Sequence, residues 1–192
     1  QAEGPSAPHS VAELVLVNQM ARTYSNLVLI GMPGSGKSTV GVILAKKTSR
    51  GFVDTDLLIQ TSQGRSLQDI VDHDGYTVLR SIEEKVLLGL LLRNHVIATG
   101  GSAVYSDQAM AHLRSEGLVI FLDVDLATLE ERIPDLSTRG IAKRPEQGLS
   151  ELFDERSSLY AKYADSTVRC CTLNQDAVCA KIIEETDGGH RL

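Results

Sequence analysis

Long apolar runs, blocks of like charge and cysteines are all scarce in this 192-residue chain. No stretch reaches the roughly 20 apolar residues that a membrane helix needs. The most apolar segment, "LLGLLL" at residues 87–92, is short and follows charged residues, so no membrane association is expected. The formal net charge is −6, without a run of one sign. That disfavours broad contact with nucleic acid or a membrane surface and leaves only local basic pockets. The three cysteines, Cys170, Cys171 and Cys179, are odd in number and lack metal-ligand spacing. They read as reduced thiols of a cytoplasmic protein, packed as small core hydrophobes. The stretch before Leu27 has neither the basic start of a signal peptide nor the Arg/Ser richness of a transit peptide. It opens with small, polar, proline-bearing residues, "QAEGPSAPHS". Residues 1–25 are therefore expected to be a flexible extension, with Met20 a candidate natural start.

What the chain does have is alternation. Short apolar segments, "NLVLIG", "GFVDTD", "HVIATGGS", "LVIFLDV" and "STVRCCTL", alternate with helical patterns. In "KSTVGVILAKKTS" the residues Val40, Ile43, Leu44 and Lys47 recur at helical spacing. "SLQDIVDHDG" begins on a capping serine and stops at glycine, and "YTVLRSIEEKVLLGLLLRN" reads as one long helix. Strands that alternate with helices imply an α/β fold with a parallel sheet covered on both faces. The expected domain spans residues 26–187, with a polar loop at 133–148 and a tail at 188–192.

The first strand runs straight into "GMPGSGKST", residues 31–39. Gly31, Gly36, Lys37 and Ser38 complete the pattern G-x-x-x-x-G-K-[ST] between a strand and a helix. Glycines let successive N–H groups face one anionic point, and the helix N-terminus adds partial positive charge. Lys37 is expected on the β/γ-phosphates and the Ser38 hydroxyl on Mg²⁺. Gly34, Ser35, Gly36 and Thr39 complete the candidate ATP-binding loop.

Residues for an acceptor follow. Asp54 and Asp56 are two apart, so an extended backbone points both to one face. One would orient a Mg²⁺-bound water and the other would take a hydroxyl proton, as phosphoryl transfer requires. The other reading is a helix N-cap. Arg80 precedes Glu83 by three on a helical pattern, a spacing that lets the carboxylate hold the guanidinium, or simply a solvated ion pair. "TGGS", residues 99–102, offers backbone to a ligand or forms a tight turn. Arg132, Arg139, Lys143, Arg144 and Arg156 gather in or beside the polar loop, which reads as a lid over a phosphoryl group or as a mobile charged loop.

In order and spacing, "GMPGSGKST", "DTDLLIQ", "GRSLQDI", "LRSIEE", "TGGSAVYS" and "ERSSLY" together resemble the shikimate kinase family. The resemblance runs from about Asn26 to the last helix. It implies a three-layer P-loop kinase fold with a five-stranded parallel sheet of order 2-3-1-4-5 and a mobile lid. It also implies transfer of the ATP γ-phosphoryl to the 3-hydroxyl of shikimate with Mg²⁺, by a cytoplasmic monomer without nucleic-acid partners. Carried over residue by residue, Lys37, Asp56 and Arg139 would be catalytic, with Asp56 the base on the shikimate hydroxyls. Asp54 would reach the Mg²⁺ through water. Arg80 and Arg156 would clamp the shikimate carboxylate, Glu83 would orient Arg80, and Gly100 and Gly101 would present backbone. Arg132 would lie against adenine, and Arg139, seven residues on, would be the lid arginine, with Arg144 as second choice. Two departures bear on the acceptor. The family's third glycine is Ser102 here, and its Arg-Pro-Leu-Leu lid motif is replaced by "TRGIAKRPEQG". The alternatives are a kinase of another small hydroxy-acid, such as gluconate, and a non-catalytic nucleotide-binding paralogue.

Overall fold

A computed structural model of the chain describes residues 25–133, 135 and 140–188. The N-terminal extension up to residue 24, Arg139 and the end of the tail lie outside the described residues. Five parallel strands form one sheet in the order β2-β3-β1-β4-β5. They are β1 (Asn26–Ile30), β2 (Gly51–Asp54), β3 (His95–Ala98), β4 (Gly117–Asp123) and β5 (Ser166–Arg169). The helices are α1 (Lys37–Thr48), α2 (Thr55–Gln63), α3 (Leu67–Asp74), α4 (Tyr76–Leu88), α5 (Asp107–Glu116), α6 (Leu126–Arg132), α7 (Leu149–Tyr163) and α8 (Gln175–Gly188). This is the α/β architecture and strand order expected above.

Strand β1 is central because all five of its residues are buried and it pairs on both sides. Each Leu, Ile or Val so removed from water contributes about 1.5–3 kcal/mol before entropy is counted. The register sets Asp54 beside Ala98 and Leu29 beside both Ala98 and Ile120. The carboxyl ends of β1, β2 and β3 therefore lie together. The loop after β1, the start of α2 and the glycines after β3 all leave the sheet at one edge, where open α/β sheets bind ligands.

Four local expectations change. The long helical pattern after Tyr76 ends at Leu88, with Gly89 as cap. Beyond it, the Asn26 side chain donates to the Leu92 carbonyl (2.6 Å) and accepts from the His95 amide (3.0 Å). These bonds replace helical ones and turn the chain, through Asn94 at φ 57°, into β3. The fifth strand stops at Arg169 because its partner β4 runs out at Asp123. Of the cysteines beyond or near that strand, Cys170 and Cys179 are buried, but Cys171 is exposed and is no core residue. Asp54 and Asp56 do not share one extended segment. β2 ends at Asp54, which caps α2 by accepting from the Asp56 amide (3.0 Å).

The segment 140–148 is solvated only in part: Arg144, Pro145, Glu146 and Gly148 are exposed, while its start packs inward. Ile141, Ala142 and Gln147 are buried, and Ala142 joins a small cluster with Ile59, Ile70 and Leu79. Gly140 makes the approach possible. Its φ is +57°, and a Cβ there would stand 2.5 Å from the backbone of Leu67 and Gln68. Its amide donates to the Gln68 side chain (2.6 Å). This strap roofs the site.

Candidate active site

A cleft of about 660 Å³ opens at the carboxyl edge of the sheet. One side is the loop between β1 and α1. Lys37 lies across it, buried, with Nζ donating to the carbonyls of Gly31 and Met32 (2.9 Å each). Burial lowers its pKa to about 8, against the opposing pull of Asp56. The Ser38 hydroxyl donates to Asp54 Oδ2 (2.5 Å), so the loop meets the end of β2. Arg132, at the end of α6, donates to the Gly34 carbonyl (3.2 Å). Gly34, Gly36, Ser38 and Thr39 line the cleft, and Ser35 is buried beneath it.

A hydroxyl and a carboxylate in contact at the mouth of the loop are hard oxygen donors suited to Mg²⁺. Among the described residues no group of three or more His, Cys, Asp or Glu is arranged for a metal ion. An ion at Ser38 and Asp54 therefore fits only with further oxygens from phosphate and water.

The opposite side draws on distant segments. Asp56, on α2, faces the cleft, and burial raises its pKa. Gly100 and Gly101 follow β3, and the Gly100 amide donates to the Thr55 hydroxyl (3.0 Å). Arg156, on α7, is 1% exposed and Tyr160 beside it is 1% exposed, so a buried guanidinium is built into the wall. Arg80, on α4, lies over the Tyr105 ring, 3.5 Å from its centroid. Arg80 and Arg156 converge on one acceptor, the Ala142 carbonyl of the strap, at 3.1 and 2.8 Å.

One expected contact is replaced. Glu83 does not hold Arg80. It is buried, and its Oε2 accepts a short hydrogen bond from Ser102. The reason is geometric: Arg80 is drawn to the tyrosine ring and the strap, while Ser102 stands against Glu83. Burial, and then the nearby Asp56 charge, push the Glu83 pKa up to about 7. Ser102 has φ −100°, an ordinary value, so serine replaces glycine without backbone strain. Arg144 is held by acids of α7, Glu151 (2.5 Å) and Glu155 (3.3 Å).

The site holds several further residues beyond the sequence candidates. Tyr105 stacks on Arg80 and donates to Glu155 (2.5 Å). Tyr160 donates to the Gly101 carbonyl (2.7 Å), and its ring stacks on Phe121. Ile59, Leu79 and Ile141 add apolar wall. Tyr160 had a signal, since it follows Arg156 by four residues and so shares its helical face. Ala142 had none.

Comparison with known proteins gives the family. The family model described as shikimate kinase matches residues 33–187. A protein named shikimate kinase from Rippkaea orientalis is 40% identical over 163 residues, covering 83% of this chain and 84% of that one. One of the same name from Synechococcus sp. (strain CC9902) has the same identity and coverage. Among solved structures, shikimate kinase from Acinetobacter baumannii in complex with shikimate superposes with a TM-score of 0.77 at 27% identity, over 86% of this chain and 94% of that one. Shikimate kinase from Aquifex aeolicus gives a TM-score of 0.72 at 30% identity, over 86% of this chain and 98% of that one. The chain belongs to the shikimate kinase family.

Proposed function

We propose that the chain is a shikimate kinase, transferring the γ-phosphoryl group of ATP to the 3-hydroxyl of shikimate and releasing ADP. The observation that carries this is one cleft holding Lys37 and the phosphate loop on one side and Asp56, Arg80 and Arg156 on the other. Within residues 26–187, taken as a single catalytic domain, the loop 34–39 holds the phosphates and Lys37 offsets charge that develops on the transferring group. Ser38, and Asp54 through water, would hold Mg²⁺, which would supply positive charge against the phosphates. Arg132 covers the adenine. Asp56 accepts the proton of the attacking hydroxyl, a role that its raised pKa favours. Arg80 and Arg156 hold the acceptor's carboxylate. Two guanidiniums already directed at one carbonyl oxygen are suited to a carboxylate, which brings two oxygens and full charge. The carboxylate takes the place of the Ala142 carbonyl, so the strap shifts when the acceptor binds. Gly100 and Gly101 bring backbone close to the ring. Arg139 is assigned as the lid arginine on its spacing from Arg132, within a lid at 133–148, and Arg144 stays with α7. The enzyme works as a monomer in the cytoplasm, with its cysteines free.

A coupled ADP-release assay with MgATP, titrating shikimate, gluconate and quinate in parallel, tests the reading. Saturable release with shikimate alone is expected. Release with gluconate alone would replace the acceptor, and nucleotide binding without release on any of them would remove the catalytic assignment.

A further inference from the structure

The Ser102–Glu83 contact leaves one oxygen unaccounted for. Glu83 is 3% exposed and Ser102 is 7% exposed. Oε2 of Glu83 takes the serine's hydrogen bond, whereas Oε1 has no hydrogen-bond partner among the described residues. Its direction is known from its neighbour. A Cβ on Gly100 would stand 2.4 Å from Glu83 Oε1 and 2.6 Å from Asp56 Oδ1. Both carboxylate oxygens thus face the same space over Gly100, and Glu83, Asp56 and Gly100 all line the cleft. A buried carboxylate oxygen without a donor is unfavourable, and such an atom in a cleft marks where a ligand's donor belongs. Ser102 has no strain to relieve, since its φ is −100° and its ψ is 1°. What its hydroxyl does is occupy one Glu83 oxygen and turn the carboxylate from its helical neighbour Arg80 toward the cleft.

We propose that Glu83 is a second hydroxyl-binding carboxylate beside Asp56, aimed by Ser102, and that this pair determines which polyhydroxy acid the enzyme accepts. The proposal rests on the kinase reading above and names how that acceptor site discriminates. An acceptor with neighbouring hydroxyls donates one to Asp56 and another to Glu83. A compound lacking the second hydroxyl leaves a buried carboxylate oxygen unpaired, which such sites penalise strongly. The groups facing Glu83 are Asp56 from α2, Lys37 from α1, and Arg156 and Tyr160 from α7. Ionisation of Glu83 near neutral pH makes it a full acceptor, so hydroxyl binding strengthens as pH rises through that range.

The test is kcat/KM for shikimate, 4-deoxyshikimate and 5-deoxyshikimate in the wild type, Glu83→Gln and Ser102→Ala, with shikimate KM followed from pH 6 to 8.5. The wild type is expected to lose about 10- to 100-fold on one deoxy compound beyond any shared loss. That factor shrinks to a few-fold in both variants. The pH dependence of KM flattens in Glu83→Gln and moves to higher pH in Ser102→Ala, because the serine's hydrogen bond favours the ionised carboxylate. Circular dichroism and thermal melts check folding, and Ser102→Ala alone decides if Glu83→Gln fails to fold. Undiminished discrimination in the folded variants, with an unchanged pH profile, overturns the proposal and leaves the kinase reading intact. A wild-type enzyme that neither turns over shikimate nor binds it by calorimetry in the presence of MgADP overturns both.

Discussion

The two sides of the cleft are built in different ways. The phosphate side is almost one piece of chain, residues 31–39 between β1 and α1, completed by Asp54 one strand away. The proposed acceptor side takes Asp56 from α2, Arg80 and Glu83 from α4, Gly100 to Ser102 from the turn after β3, Ala142 from the strap and Arg156 from α7. The first is a local device whose geometry follows from the loop's own backbone. The second is an assembly, in which each side chain depends on the packing of another element. Changes on the first side should therefore strike chemistry with little effect on the acceptor. Changes on the second should strike acceptor binding or, at Asp56, proton transfer, with little effect on the nucleotide.

Lys37→Ala should give the largest effect. Removing the buried ammonium from the phosphates is expected to lower kcat by about 10³-fold or more, while calorimetry finds shikimate binding nearly unchanged. A normal kcat would detach the loop from the chemistry. Asp56→Asn comes next, with kcat reduced about 10²- to 10⁴-fold as for loss of a general base and ATP affinity within a few-fold by equilibrium titration. Weak ATP binding with preserved kcat would move Asp56 to the nucleotide side. Arg156→Lys and Arg80→Lys should each raise the shikimate KM, by about 10- to 100-fold for loss of a bidentate fork. The buried Arg156 should cost more than the partly exposed Arg80. An unchanged KM in either variant would remove that arginine from the carboxylate.

The smallest effect sharpens the comparison through stability. The Glu83 pKa is raised from 4.5 to about 7 in the fold. The folded state therefore binds more protons than the unfolded state between those values, and stability falls as pH rises through that window. Glu83→Gln removes this cost above pH 7. A gain on the order of 1 kcal/mol, or about 2–4 °C in Tm, is expected at pH 8, and little at pH 5. Equal gains at both pH values would mean that the substitution acts through packing instead of charge.

The fold was largely legible because its signals are local. Apolar strands separated by capped helices imply a parallel sheet, and Ser66 caps α3 as its sequence suggests. The helix after Tyr76 is shorter than its pattern implies, because the apolar pattern continues past Gly89. Its end depends on Asn26, some sixty residues away, whose side chain claims the Leu92 carbonyl and the His95 amide. The pairing of Glu83 with Arg80 was inferred from helical spacing, which says that two residues are neighbours but not which third group draws one away. Tyr105 and Ser102 are those third groups.

By itself the sequence determined the phosphate loop, the order of strands and helices, and the family, since each rests on residue types at short spacing that dictate backbone geometry. Tertiary structure alone decided that residues 140–142 pack inward as a strap, because Gly140 meets α3 at backbone distance. It also decided that Arg80 and Arg156 converge on the Ala142 carbonyl, and that Ser102 donates a hydrogen bond to Glu83. Those contacts join segments far apart in the chain, and packing distances between such segments are written in no local pattern.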